Sequence, residues 1–228
     1  MSNFKTNGTY IIVGKSETGK TTFLKALLSS QLGRQFDLIV GFSKTKFNGS
    51  INYCPPIYQF DDFNEDIIDK LMSWMQILVK YGIKIGVVLD DLIGDIRIHG
   101  NALFDKLATR SRHYNITLFI VSQYLLKISP TMRSNAKYVI CTRMSREKEI
   151  KTLWEEYGSS MTWNEFKDKF MDDTSNYGVF VIDNSTSEVK FQGMRCTSNV
   201  KPFRIPISER LIQLDRMIQM QRQRAKGR

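Results

Sequence analysis

Hydrophobic and polar positions divide this chain into short unbroken apolar runs and longer stretches with helical spacing. Residues 10–14, Tyr-Ile-Ile-Val-Gly, are apolar and end in glycine, as a strand buried on both faces would. From Thr21 to about Leu32, the residues Phe23, Leu24, Leu27 and Leu28 recur at helical spacing. Leu38-Ile39-Val40 predicts a second strand. Residues 41–60 carry Gly, Asn, Ser and Pro55-Pro56, which predicts loops and one short extended piece. Ile67, Ile68, Leu71, Trp74, Met75 and Leu78 form the stripe of a helix from about Phe63 to Lys80. Lys84 to Leu89 is the next strand and runs into Asp90-Asp91. Leu103 to about Arg112 reads as a helix with a basic outer side.

Ile116 to Ser122 and Tyr138 to Thr142 give two further strands, and residues 145–157 and 162–171 two further helices. Gly178 to Ile182 and Glu188 to Gln192 flank Asp183-Asn184-Ser185-Thr186-Ser187, which predicts a hairpin. Strands alternating with helices predict an α/β fold whose mainly parallel sheet is covered on both faces. Residues 1–200 read as one domain and 201–228 as a C-terminal arm. That arm carries eight basic residues against two acidic ones. Its Leu211, Ile212, Leu214, Met217 and Ile218 are spaced to pack against a body, with Gln221 to Arg228 frayed.

Composition changes this picture in three ways. The 33 Lys+Arg against 23 Asp+Glu give +10, which favours a polyanionic partner, either nucleic acid or an anionic membrane surface. Cys54, Cys141 and Cys196 are scattered, and His99 and His113 are the sole histidines, so no zinc-ligand spacing exists and a reducing compartment is expected. No apolar run reaches the roughly 18–20 residues of a membrane span, and charged or polar residues interrupt positions 1–9. A cytosolic protein is expected.

The chemistry begins at Gly14-Lys15-Ser16-Glu17-Thr18-Gly19-Lys20-Thr21, a complete G-x-x-x-x-G-K-[ST] loop between a strand and a helix. Gly14 and Gly19 let the backbone bend so that successive N–H groups converge on phosphate oxygens. The helix that follows adds its positive end. Lys20 reaches the β- and γ-phosphates of ATP, and the Thr21 hydroxyl is a ligand for Mg²⁺. The candidate nucleotide contacts are therefore Gly14, Lys15, Ser16, Glu17, Thr18, Gly19, Lys20, Thr21 and Thr22.

Ile85-Gly86-Val87-Val88-Leu89-Asp90-Asp91 supplies the partner motif, a buried strand delivering carboxylates beside the phosphate loop. Asp90 would hold Mg²⁺, and Asp91 would polarise the attacking water, with Asp95 as an alternative base. Tandem acids favour ATP hydrolysis over transfer to a small acceptor, and no Arg-rich lid of a nucleotide kinase is evident. Gln123, at the end of the strand Ile116–Ser122, would orient the water and sense the nucleotide state.

Four segments occur in order: the phosphate loop, the strand ending Asp90-Asp91, Arg112-His113-Tyr114-Asn115-Ile116 running to Val121-Ser122-Gln123-Tyr124, and Met132-Arg133-Ser134-Asn135-Ala136. Together they resemble the viral genome-packaging ATPases of the poxvirus and giant-virus type, within the FtsK–HerA group of DNA translocases. The resemblance covers roughly residues 8–157. It implies a P-loop NTPase fold of the RecA-like kind and a ring, pentameric or hexameric, that drives double-stranded DNA into a preformed capsid through a capsid or portal vertex protein. It also implies residence in the host cytoplasm at sites of virus assembly.

Carried over, Lys20 and Thr21 are the phosphate-loop pair, Asp90 and Asp91 the metal and water residues, and Gln123 the sensor. Asp91 stands where many related ATPases carry Glu. The family also uses an arginine from the neighbouring subunit to stabilise charge on the γ-phosphate. Arg112 and Arg133 match family positions and Arg110 lies close by, and the resemblance does not choose among them. No separate nuclease domain is visible. Spread basic residues (Lys44, Lys46, Arg97, Lys106, Arg110, Arg112, Arg143 and Arg146) and the loop Ile93–Asn101 are the candidate DNA contacts. The competing readings are a nucleotide-switched assembly protein with little turnover and a cellular DNA translocase.

Overall fold

A computed structural model of the chain describes residues 4–92, 102–195 and 199–226. The expected DNA loop, with Asp95 and Arg97, and Cys196 lie outside the described residues.

Among the described residues, eight strands form one sheet: β1 (Gly8–Val13), β2 (Leu38–Ser43), β3 (Gln59–Phe60), β4 (Ile85–Asp90), β5 (Ile116–Ser122), β6 (Ala136–Cys141), β7 (Gly178–Asp183) and β8 (Lys190–Arg195). Their order is β3-β2-β4-β5-β1-β6-β7-β8. The pairs from β3 to β6 are parallel, whereas β7 joins β6, and β8 joins β7, antiparallel. The sheet and its closing hairpin agree with the fold class read from the sequence.

Alternate residues of β1 show why the run is apolar throughout. Ile11 and Val13 enter one core, with helices α2 (Glu65–Leu78), α3 (Ala102–Arg110), α5 (Glu147–Tyr157) and α6 (Trp163–Asp173). Tyr10 and Ile12 enter the other, with Phe23, Leu24, Leu27 and Leu28 of α1 (Lys20–Ser29). A strand buried on both faces has no solvent side, so it shows no alternation of polar residues. β8, at the sheet edge, is half exposed instead.

β2 runs three residues beyond the predicted Leu38-Ile39-Val40, because Gly41, Phe42 and Ser43 continue the register with β4 up to Ser43 opposite Asp90. A short helix α4 (Pro130–Ser134) starts at Ser129, whose Oγ accepts the Met132 N–H at 3.3 Å.

The C-terminal segment is fastened to the body. Phe203 stacks on Tyr53 with centroids 5.8 Å apart, and the Ile205 N–H donates to the Tyr53 carbonyl at 2.9 Å. Ser208 Oγ donates to Asp37 Oδ1 at 2.6 Å, just before α7 (Glu209–Lys226), whose Leu211 and Leu214 are buried. The backbone stays helical to Lys226 instead of fraying from Gln221, in keeping with its Gln, Arg, Ala and Lys, which are good helix formers.

Candidate functional site

The phosphate loop leaves β1 at Gly14, whose φ of 153° and position exclude a side chain: a Cβ there would lie 2.0 Å from Thr142 Oγ1. The loop is tied to the neighbouring strands on both sides. The Gly14 N–H donates to the Ser122 carbonyl at 3.3 Å and the Lys15 N–H to the Arg143 carbonyl at 2.9 Å. Thr18 Oγ1 donates to the Lys15 carbonyl and also meets Thr142 Oγ1, each at 2.6 Å. Gly14, Lys15 and Thr18 thus build the loop from behind. Ser16, Glu17, Gly19, Lys20, Thr21 and Thr22 face the cavity.

Helix α1 begins after Gly19, which has a φ of 95°, with no side-chain cap and no acidic residue in its first turn. Helices α2 and α6 are instead capped by Asn64 and by the Thr162–Glu165 capping box, and both have acids there. The start of α1 therefore presents N–H groups and a positive dipole end with no built-in carboxylate to compete for them. An anion suits this end.

The cavity in front of it measures about 470 Å³ and is also lined by Thr45, Ser50, Asp90, Asp91, Val121, Gln123 and Tyr177. Sheet order brings these residues together, since β4 and β5 end beside β1 with Asp90 opposite Val121 and Val13 opposite Ser122. Asp90 is 5% exposed. Burial pushes its carboxyl above the ordinary range and the Asp91 charge adds to this, while hydrogen bonds from Ser50 and Ser43 and the Lys20 charge oppose it. Lys20 is shifted down, by burial first, against the pull of Asp91 and Asp90. Its Nζ donates to the Lys15 carbonyl at 2.8 Å.

Asp91 is held in a left-handed conformation, with φ 55°, and its N–H donates to the Val121 carbonyl at 3.1 Å. Its Oδ2 accepts from Gln123 Nε2 at 3.1 Å. Behind Gln123, the Leu125 N–H is held by the buried Glu149 at 2.9 Å, and Arg146 lies over the Tyr124 ring at 4.8 Å. The residue proposed to sense nucleotide therefore sits on an anchored segment.

A Mg²⁺ ion fits this donor set. Two adjacent carboxylates and a threonine hydroxyl are hard oxygen ligands, and Asp90, pushed up by burial first and by the Asp91 charge second, is a carboxylate whose ionised form a cation would favour. Among the described residues no group of three or more His, Cys, Asp and Glu could form an all-protein cage. That accords with Mg²⁺ held by one or two carboxylates together with phosphates.

The arginines divide sharply. Arg133 is 6% exposed, and its Nε donates to Glu156 at 2.9 Å and its Nη1 to the Ile128 carbonyl at 2.5 Å. Tyr157 closes the cluster by donating to the Arg133 carbonyl. Arg133, expected as a candidate for action in trans, is instead held inside its own fold by Glu156 and the Ile128 carbonyl. Arg112 is exposed on the 3₁₀ turn Ser111–Tyr114, before β5 begins. It sits one strand length, roughly 20 Å, from the end of β5 that carries Gln123. Arg143 turns inward onto the Met171 carbonyl at 2.9 Å, and Lys46 pairs with Asp61.

Reading the sequence missed Ser43, Thr45, Ser50, Thr142 and Tyr177. The polar endings of apolar strands, at Ser43 and Thr142, were the available signal for two of them. Nothing local marked the others.

Fold, phosphate loop and tandem aspartates define a P-loop ATPase. The sequence profile of the family described as Poxvirus A32 protein matches residues 3–197, and the chain belongs to that family. The resemblance to viral genome-packaging ATPases drawn from the motif order is upheld. Among relatives, the chain is 25% identical over 195 residues to Uncharacterized protein 075L of Invertebrate iridescent virus 6, covering 82% of this chain and 75% of that protein. It is 23% identical over 180 residues to Uncharacterized protein 015R of Frog virus 3 (isolate Goorha), covering 77% and 56%. Among solved structures, the genome packaging NTPase B204 from Sulfolobus turreted icosahedral virus 2, in complex with ATP-gammaS, superposes with a TM-score of 0.61. That match has 12% identity and covers 85% of this chain and all 100% of that one. The pCW3 conjugation coupling protein TcpA superposes with a TM-score of 0.54 at 17% identity, covering 84% and 61%. At these identities the structural likeness is one of fold.

Proposed function

We propose that this chain is the ATP-hydrolysing motor subunit that drives double-stranded DNA into a viral capsid. One observation carries the reading: in a member of the poxvirus A32 family, Lys20, Thr21, Asp90, Asp91 and Gln123 line a single cavity. The loop N–H groups and Lys20 bind and orient the triphosphate. Thr21 and Asp90 would hold Mg²⁺, which supplies charge neutralisation on the phosphate oxygens. Asp91 takes the proton of the attacking water, and Gln123, bonded to Asp91, fixes the direction of that carboxylate.

The subunit works in a pentameric or hexameric ring. Arg110 and Arg112 are both exposed, and Arg112, at the position that matches the family, is the candidate to reach the neighbour's γ-phosphate. The +10 charge suits a channel that holds DNA by its phosphates without reading bases. No described helix is long and apolar enough to cross a membrane. The site of action is the host cytoplasm where virions assemble, at the capsid or portal vertex.

The test is phosphate release by wild type and Lys20→Ala, each with and without duplex DNA. DNA-stimulated, multiple-turnover release that Lys20→Ala abolishes is expected. Nucleotide binding with almost no turnover, even with DNA and assembled rings, would favour the nucleotide-switched assembly protein.

A further inference from the structure

The cavity has a second end that phosphate chemistry does not use. Asp90, Asp91 and Gln123 approach it from β4 and β5, on one side of the phosphate loop. Tyr177 approaches from the other side, on the turn that enters β7, with β1 and β6 between. Three sheet spacings separate β5 from β7, on the order of 14 Å. A nucleoside triphosphate whose γ end lies at the acids and whose phosphates follow the loop must direct its ribose and base toward the Tyr177 side.

The turn itself is unusual. Asn176 and Tyr177 are consecutive residues in the left-handed region, with φ of 48° and 60°. That conformation is uncommon outside glycine, and more so for a bulky side chain. Such backbone persists where its surroundings over-determine it, and here they do. The Ser175 N–H donates to the Asp172 carbonyl at 3.0 Å and the Gly178 N–H to the Ser175 carbonyl at 2.8 Å. Thr174 Oγ1 donates to the Phe170 carbonyl at 2.7 Å. A Cβ on Gly178 would meet the Asp173 carbonyl oxygen at 2.1 Å, so the chain packs too closely there to turn differently. Arg143 ties the turn to the phosphate loop: its carbonyl accepts the Lys15 N–H and its guanidinium donates to the Met171 carbonyl.

The outcome is an aromatic ring held in the open. Tyr177 is 72% exposed, and its Cδ1 stands 3.9 Å from the point where a Cβ on Gly19 would lie. An amphipathic ring gains from burying its face, and a flat π-surface beside a phosphate-binding helix start suits a flat heterocycle.

We propose that Tyr177 is the nucleobase platform of this site, stacking its ring on the purine of the bound nucleotide. The proposal rests on reading the cavity as a nucleoside triphosphate site, and its test separates the two. Full-length protein is titrated calorimetrically, in magnesium buffer, with ATPγS and with inorganic tripolyphosphate, which has no base. Tyr177→Ala should weaken ATPγS roughly 5- to 150-fold, the range of one lost base–aromatic stack. It should leave tripolyphosphate unchanged. Tyr177→Phe, which keeps the ring, should bind both as wild type does. Tyr177→Gly should lose ATPγS affinity equally while melting at a higher temperature than Tyr177→Ala, because glycine accepts the left-handed backbone.

Lys20→Ala should weaken both ligands, and failure there would indict the phosphate-loop reading and not the platform. Unchanged ATPγS affinity in Tyr177→Ala, or equal loss of both ligands, would overturn the platform. Unchanged affinity with impaired ring assembly would instead make the exposed ring a subunit contact.

Discussion

Gln123 Nε2 donates to Asp91 Oδ2 at 3.1 Å, linking the ends of two adjacent parallel strands in front of the phosphate loop. The contact has a chemical consequence. An aspartate is a methylene shorter than the glutamate many related ATPases carry, and its left-handed backbone and the Gln123 amide together aim it.

Asp91→Asn should lower the hydrolysis rate by about 10²–10⁴, the usual worth of a positioned general base, with nucleotide affinity unchanged. Gln123→Ala should cause a smaller loss. The double variant should be scarcely slower than Asp91→Asn alone, since two residues serving one step are not additive. Steady-state kinetics with calorimetric affinities checks all three. Multiplicative losses would mean that Gln123 acts independently of Asp91.

Gly14→Ala should destabilise the fold by about 1–3 kcal/mol, the scale of overpacking a filled site. Adding Thr142→Ala removes the 2.0 Å clash but leaves the Thr142 carbonyl at 3.0 Å, so rescue should be partial. Chemical denaturation of the two variants gives the comparison, and full rescue would locate the whole constraint in the Thr142 hydroxyl.

Arg133 and Arg112 should separate cleanly. Arg133→Ala removes a buried guanidinium and leaves the Ile128 carbonyl without that donor, while Glu156 faces solvent, and should cost about 1–3 kcal/mol. Arg112→Ala, at an exposed position, should stay within about 0.5 kcal/mol of wild type. In assembled rings it should nevertheless slow hydrolysis by about 10³ or more. Denaturation midpoints and ATPase assays at concentrations above and below assembly distinguish the two. Full activity of Arg112→Ala in the ring would pass the trans role to another arginine, Arg110 first.

The raised carboxyl of Asp90 sets a pH dependence. A group whose folded pKa lies above its unfolded value binds its proton more readily when folded. Its stabilising effect is complete below the unfolded pKa, about 4, and is lost as pH rises through the folded one. Ionised Asp90 therefore destabilises the nucleotide-free protein at neutral pH. Asp90→Asn should melt higher than wild type near pH 7, with the gain shrinking toward pH 4, and should lose magnesium-dependent hydrolysis. Thermal melts across that range test it, and a gain that grows on acidification would contradict the burial effect.

How much was legible beforehand depends on the range of the interactions involved. The strands were readable because burial on both faces favours unbroken apolar runs, as at residues 10–13 of β1 and 118–121 of β5, beside the buried Thr9 and Thr117. The phosphate loop was readable because its geometry is a backbone property of one short segment, with Gly14 and Gly19 at its bends. Arg133 and Arg112 looked alike because nothing near either one in sequence records burial; Glu156, which occupies Arg133, lies 23 positions away. Tyr177 gave no signal at all. Its place at the cavity depends on β7 pairing with β6 and on a turn pinned by α6.

The amino-acid sequence by itself determined the elements, the parallel sheet and the identity of the phosphate-gripping segment, because these follow from local spacing and from backbone freedom at two glycines. Tertiary structure alone decided which arginine is sealed inside and which faces outward, that Gln123 reaches Asp91, and that an aromatic ring stands across the loop from the acids. Those facts rest on strand order and on contacts between residues far apart along the chain, where distance in space is unrelated to distance in sequence.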